Sequence, residues 1–369
     1  MAIKINGGFG KISSFNIVTA AATVITPPPP PPPAAILYNY QGGLTRTVTP
    51  TNTGSTYGYA TALSGDSTYA ALGSNSPRWV EVFKRDQDGF YGRTQNVRME
   101  LGNFGRQVTF SGDGSHLFVG ANGSISVFKQ NGNGDNFELF QVLTIPNPGN
   151  GTALGIRPIL ASHDGVTVVA NDTYQTHVFK YTGIDYQRMT YYSNVDDSPT
   201  GSTKMSSDGT TFLTLQSGSV IAMQPDGNFS NDINIGMTIE SYSMSGDGLT
   251  VTASGPAGSV IFDRTAKSSP IWNEVVRFSY FDPKGIGRCD SLNSNGTIFV
   301  TSSAGNNGGN GHVRVYRKES TGWVYHAVMS ESGGFGFTNA IAENGSAIMI
   351  GAPNNGVGRA HILLGEQPI

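Results

Sequence analysis

A turn of the form Ser-x-Asp-Gly, set between two apolar runs, recurs along this chain and restricts its fold more than any other feature. It stands as Ser64-Gly65-Asp66, Ser111-Gly112-Asp113-Gly114, Ser162-His163-Asp164-Gly165, Ser206-Ser207-Asp208-Gly209 and Ser245-Gly246-Asp247-Gly248. Weaker copies are Asn293-Ser294-Asn295-Gly296 and Ala342-Glu343-Asn344-Gly345. The third position falls at 66, 113, 164, 208, 247, 295 and 344, so successive gaps are 47, 51, 44, 39, 48 and 49. Seven units of that length match four-stranded blades arranged around an axis. The expected fold is therefore all-β, a seven-bladed β-propeller.

Each unit repeats one internal order. In the second, a first strand near Gln107–Phe110 precedes the turn and a second near Leu117–Val119 comes after it. A third near Ser124–Lys129 and a more aromatic fourth near Phe137–Leu143 complete the unit. Third strands are expected again at Trp79–Lys84, His177–Tyr181, Ser219–Met223, Ser259–Asp263 and His312–Arg317, and fourth strands at Tyr186–Tyr192, Trp272–Phe278 and Trp323–Met329. The last unit reaches only its third strand, about His361–Leu364. Ile36–Val48 precedes the first unit and has fourth-strand character, so it is expected to complete the last blade and close the ring, removing two exposed edges.

Composition agrees. Glycine supplies 49 of 369 residues and charged residues only 13%, and no sustained helical stripe occurs. A net charge of −3 without basic clusters argues against a nucleic-acid surface. No apolar run is long enough for a membrane helix, so no insertion is expected. The single cysteine, Cys289, excludes an internal disulfide and any cysteine cage for a metal.

The units resemble FG-GAP repeats, the family that includes the integrin α-subunit propeller and many bacterial and phage proteins. The residues that carry the resemblance are Tyr57-Gly58 with Gly73, Phe104-Gly105 with Gly120-Ala121-Asn122, and Phe335-Gly336 with Gly351-Ala352-Pro353. In all three the two glycines are 15 apart, at 58 and 73, 105 and 120, 336 and 351. The sixth unit keeps Ile286-Gly287 but has Ser302 at the second glycine, and units three to five depart further. The resemblance covers about residues 36–369 and implies the fold. The family's calcium loop is not carried over, because the turns here are short and hold one Asp or Asn.

The remaining motifs have local explanations. Asp86-Gln87-Asp88-Gly89 lacks the ligand spacing of a calcium loop and reads as a hairpin tip between third and fourth strands. Asn131–Asp135 and Asp226-Gly227-Asn228 read likewise. The seven Ser-x-Asp-Gly copies point to backbone-bonding side chains and a left-handed glycine rather than to catalytic acids. The histidines (His116, His163, His177, His312, His326, His361) are scattered over different blades and strands, and no pair has metal-ligand spacing. No nucleophile elbow or phosphate loop accompanies them. Trp79, Trp272 and Trp323 are expected to pack between blades. No catalytic residue, cofactor or metal ligand is assigned, and an enzyme is not expected.

Residues 1–26 read as a docking arm. Its apolar residues Ile3, Ile5, Phe9, Ile12, Phe15, Ile17, Val18, Val24 and Ile25 are too few for a core and suit burial against a partner. Residues 27–35 form a spacer whose Pro27–Pro33 run would extend about 22 Å as polyproline II. No secretory signal precedes it. An apolar arm, a stiff spacer and a closed domain without an export address lead to one expectation: a non-enzymatic virion structural protein of a phage-like particle. It would be a capsid or tail appendage or decoration, assembled in the host cytoplasm and exposed outside. Residues 1–35 would contact other virion proteins, and the propeller would contact a host glycan or receptor. The alternative is a carbohydrate- or receptor-binding propeller lectin.

Overall fold

The computed structural model describes residues 37–38, 45–48 and, from 57 to 366, all but 75–77, 133–134, 145–153, 155–157, 173–174, 194–204, 217–218, 225–228, 280–288, 305–309 and 354–357. Among the described residues every regular element is a strand, and the strands form seven antiparallel sheets. The chain is a seven-bladed β-propeller.

The second blade shows the order. Its strands Val108–Phe110, His116–Ala121, Ser124–Gln130 and Phe137–Thr144 pair consecutively from the axis outward. The innermost strands elsewhere are Tyr57–Leu63, Ile159–Ala161, Ser241–Met244, Cys289–Leu292 and Asn339–Ile341, and blade four holds this place with the single bridge Met205–Phe212. Each expected third and fourth strand is present within a few residues of its anticipated limits, although Trp272 sits one residue before Asn273–Ser279. The last blade is Asn339–Ile341, Ala347–Ala352 and Arg359–Glu366, and both Leu37–Tyr38 and Thr45–Val48 pair with Arg359–Glu366. The segment ahead of the first blade therefore closes the ring in antiparallel register, with Thr45 opposite Leu363.

The core lies in the seams between blades. Phe104, Phe110, Phe137 and Val119 fill the seam of blades one and two, and Tyr57, Leu72, Met349 and Ile362 that of blades seven and one. Each such side chain contributes roughly 1.5–3 kcal/mol when fully buried. Tyr57, Phe104 and Phe335, the aromatic residues ahead of Gly58, Gly105 and Gly336, are wholly buried. The partner glycines explain the fixed spacing. A Cβ on Gly73 would stand 2.1 Å from the carbonyl oxygen of Gly105, and one on Gly351 would stand 2.2 Å from that of Gly58. The second glycine thus marks where the next blade's backbone leans in.

The tryptophans pack as expected, each against a seam cluster. The repeat pattern did not anticipate a bulge in the fourth strand at the same place in five blades, where Thr94, Phe140, Met189, Val275 and His326 are each the extra residue. A bulge bends and twists the outermost strand, which spoils edge-to-edge pairing with other chains.

Candidate functional site: the central channel

The recurrent turn is built by its own side chains. In the five Ser-x-Asp copies the serine Oγ donates to the aspartate Oδ1 at 2.5–2.7 Å. The same Oγ accepts the backbone N–H five residues on at 2.9–3.0 Å. Asp Oδ1 accepts the N–H two residues on, as from Thr68 at 2.8 Å. Burial pushes the carboxyls of Asp66, Asp113 and Asp208 up, but hydrogen bonds outweigh it and hold all three below the usual value. At Asp66 and Asp113 these are the bonds of the turn itself, and at Asp208 the one from the Lys267 ammonium comes first and then those of the turn. The fourth position is left-handed in all seven copies. Gly114, Gly165, Gly209, Gly248, Gly296 and Gly345 have φ of 63–73°, and Ser67 takes the same conformation at 62°.

The second position of each turn has a role that the sequence pattern did not reveal. Backbone hydrogen bonds link the seven turns in a closed cycle. Gly65 N–H donates to Gly112 O at 2.8 Å, Asp113 to His163 at 2.8 Å, His163 to Ser207 at 2.7 Å and Ser207 to Gly246 at 2.7 Å. Asp247 donates to Ser294 at 2.8 Å, Ser294 to Glu343 at 2.8 Å, and Asn344 back to Gly65 at 3.2 Å. Inside the cycle, His163 Nδ1 meets Glu343 Oε2 at 2.6 Å and the hydroxyls of Ser207 and Ser294 stand 3.3 Å apart. There is no space for more. A Cβ on Gly112 would lie 2.3 Å from both His163 Nδ1 and Glu343 Oε1. The Gly and Ser residues at this position therefore let the turns meet and floor the channel.

Above this floor the innermost strands enclose a cavity of about 620 Å³. Its wall changes character along the axis. The residue just before each turn is apolar, and Leu63, Met205, Met244, Leu292 and Ile341 border the cavity while their side chains are buried in the inter-blade clusters. Four or five residues before the turn stand Tyr59, Arg106, Gln107, Phe337 and Thr338. The Tyr59 and Phe337 rings are 4.8 Å apart between centroids, and the Arg106 guanidinium lies 5.8 Å from the Tyr59 ring centre. Cys289 is buried in the wall, where its sulfur accepts from Asn339 N–H at 3.3 Å.

Among the described residues no group of three or more His, Cys, Asp or Glu side chains is placed to hold a metal. The histidines stay apart. His177 meets Asp172 at 3.0 Å and His361 meets Glu331 at 3.3 Å. Burial holds His116, His177 and His361 below the usual imidazole value. Asp86 Oδ1 accepts from the N–H groups of Asp88 and Phe90 at 3.0 and 2.7 Å, which makes Asp86–Gly89 a hairpin tip. Asp226-Gly227-Asn228 and the docking residues Ile3, Ile5, Phe9, Ile12, Phe15, Ile17, Val18, Val24 and Ile25 lie outside the described residues.

Comparison with known proteins bears on this architecture alone. No family model matches the chain, and no curated protein matches it. Among solved structures it is similar to the β-propeller domain of Cps50 (Swd1) from Myceliophteria thermophila, with 11% sequence identity and a TM-score of 0.64. The likeness covers 88% of this chain and all of that one. It is a likeness of fold. Because 1100 solved chains match, no one activity can be inferred from the resemblance.

Proposed function

We propose that this chain is a non-enzymatic virion structural protein, an appendage or decoration of a phage-like capsid or tail, whose propeller is held to the particle by residues 1–35. The observation that carries the reading is the contrast in sequence between those residues and the repeat region, 36–369. The first 35 hold Lys4 and Lys11 but no acidic residue, nine apolar anchor candidates and the Pro27–Pro33 run. Such a segment is too short for a core and too apolar for an ordinary disordered tail. The propeller itself, with paired or bulged edges, suits display in many close copies. The buried aromatic followed by a left-handed glycine at Tyr57-Gly58, Phe104-Gly105 and Phe335-Gly336 supports placing the repeats in the FG-GAP pattern.

A receptor- or glycan-binding role has one observation in its favour. Phe140, Tyr191 and Tyr325 stand exposed on the outer strands of blades two, three and six, where rings can stack on sugars. Particles from the source lysate, fractionated on a density gradient, test the main reading by mass spectrometry of the Ile12–Pro33 peptide. Co-sedimentation with particles supports the virion role, and deletion of residues 1–35 is then expected to release the propeller. Recovery only in the soluble fraction contradicts it.

A further inference from the structure

We propose that the outer surface where blades two and three meet is a binding subsite for an acidic polysaccharide, in which a uronic-acid unit stacks on Phe140 and sets its carboxylate on Lys129. The inference rests on the glycan-binding reading above and is independent of the virion role.

A bulge makes the site. In the outer strand of blade two, Leu139 faces Phe128 and Gln141 faces Val127, so Phe140 is the extra residue between them. A bulge re-aims the side chain it carries. Of the five blades bulged there, only blade two places a phenyl ring, the others holding Thr94, Met189, Val275 and His326. The Phe140 ring stands 5.9 Å from that of Tyr181 at 72° and 6.4 Å from that of Tyr186, and Phe140 remains 37% exposed. The Tyr181 hydroxyl donates to Gly183 O at 2.8 Å, which fixes the second ring. Of the eleven large apolar residues exposed among those described, six (Leu139, Phe140, Val142, Ile184, Met189 and Tyr191) belong to these two blades, which marks this side of the ring as the one that meets a partner.

A cation lies between the two rings. Lys129 Nζ is 3.9 Å from the ring centres of both Phe140 and Tyr181. Ring faces stabilise an ammonium and leave its outward N–H groups to solvent. Glu138 stands opposite Lys129 in the strand pair, but its carboxylate accepts from Asn131 Nδ2 at 2.8 Å. Among the described residues no carboxylate comes within ion-pair distance of Lys129. Residues 133–134 of the adjoining hairpin, outside the described ones, are Asn and Gly and bring no charge. Burial and then the Lys129 charge hold His116 below the usual imidazole value, which keeps a neutral ring behind the ammonium. A second pair of the same kind follows on blade three, where the Arg188 guanidinium lies 5.4 Å from the centre of the exposed Tyr191 ring. Tyr191 is five residues beyond Tyr186, roughly 16 Å along the strand, so the two pairs suit separate units of one chain.

Chemistry selects the ligand. A pyranose has an apolar face of C–H groups that stacks on an aromatic ring. A uronic acid adds a carboxylate at the edge of that face, where a cation beside the ring bonds it with charge assistance. A neutral sugar would offer Lys129 only hydroxyls, and a purely apolar segment would leave its charge unmatched.

The test is calorimetric titration of the full-length protein with a panel of uronic-acid oligosaccharides, each beside its methyl ester, and with a panel of neutral oligosaccharides. At least one uronate is expected to bind saturably, and its ester roughly tenfold or more weakly, as loss of a charge-assisted bond does. Lys129→Gln is expected to bring acid and ester together. Phe140→Ser is expected to weaken both, and Tyr325→Ser, on blade six, to change neither. An ester or a neutral oligosaccharide that binds as tightly as the best uronate overturns the acidic assignment and leaves the glycan reading standing. Absence of binding by both panels overturns the proposal and that reading together. Acid and ester are compared on the wild-type protein, so the result holds even if a variant fails to fold.

Discussion

The seam between blades one and two and the seam between blades five and six occupy equivalent places, yet they are built from opposite materials. In the first, Tyr69, Phe110 and Phe137 pack edge and face with ring centres 5.4–6.2 Å apart, backed by Val108 and Val119. The second has a much smaller apolar cluster, around Ile261, Leu292, Phe299, Tyr316 and Trp323. Nearer the axis it is polar. Asp290 is wholly buried, its Oδ2 accepts from Ser254 Oγ at 2.6 Å, and Ser241 Oγ accepts from its backbone N–H at 2.8 Å. Both Val108 and Asp290 stand three residues before their turn, on the face turned to the preceding blade. The backbone tolerates either chemistry, so the fold fixes where a seam lies and not what fills it.

The contrast extends to aspartate itself. In the exposed turns, hydrogen bonds hold Asp66, Asp113 and Asp208 below the usual carboxyl value against the effect of burial. In the seam, burial outweighs the hydroxyls of Ser254, Thr301 and Thr252 and pushes Asp290 up to about 7. The surface carboxylates are held towards the ionised form, while burial holds the seam carboxyl towards the protonated one.

If the apolar seam carries its blades by packing, Phe137→Ala should cost about 3–5 kcal/mol, the usual range for a buried aromatic, read by chemical denaturation at any pH. A loss below about 1 kcal/mol would show that the seam collapses around the cavity.

The polar seam should instead respond to pH. Asp290 binds its proton more tightly when folded, so its stabilising contribution is fully present below the unfolded value of 3.8 and is lost as pH rises through about 7. Up to about 4 kcal/mol is at stake, at 1.36 kcal/mol per pH unit. Asp290→Asn should therefore be more stable than wild type at pH 8 and close to it at pH 4, in melts at both values. A pH-independent difference would remove the ionisation from the account.

Two smaller effects refine the contrast. Gln95 clamps the outer strand of the next blade, accepting from Phe137 N–H at 2.7 Å and donating to Phe137 O at 2.8 Å, as Gln141 does for Tyr186. Gln95→Ala should cost about 1–2 kcal/mol, and a cost near zero would mean that water replaces the clamp. The His163–Glu343 pair is partly exposed, so His163→Gln should change stability by less than about 1 kcal/mol, with the difference shrinking in high salt.

The range of each interaction decides how legible it is in the sequence. The Ser-x-Asp-Gly turn is made by atoms within five residues, so its pattern survives in the sequence and sets the blade count. Strand order was readable from alternation and from the gap that Ile36–Val48 could fill. The cycle through the second turn positions could not be read the same way. His163 and Glu343 are 180 residues apart, and their contact exists only once all seven turns converge. A weak signal was present, since Gly or Ser fills that position in five of the seven turns. Asp290 could have been flagged by aligning it with Val108 and Ile159. Arg106, Tyr59 and Phe337 carried no motif, because a channel wall assembles one residue from each distant strand. The fourth-strand bulges leave no mark in the residue pattern either, since Thr94, Phe140, Met189, Val275 and His326 share no chemistry.

The most direct test of a ring closed from its N-terminal side is thermal unfolding of two truncations, one lacking residues 1–35 and the other lacking 1–48. The first keeps Leu37–Tyr38 and Thr45–Val48 paired with Arg359–Glu366 and should melt as one cooperative transition near the full-length temperature. The second leaves the last blade's outer edge bare and should melt markedly lower or aggregate. Equal melting of the two truncations would contradict closure by this segment.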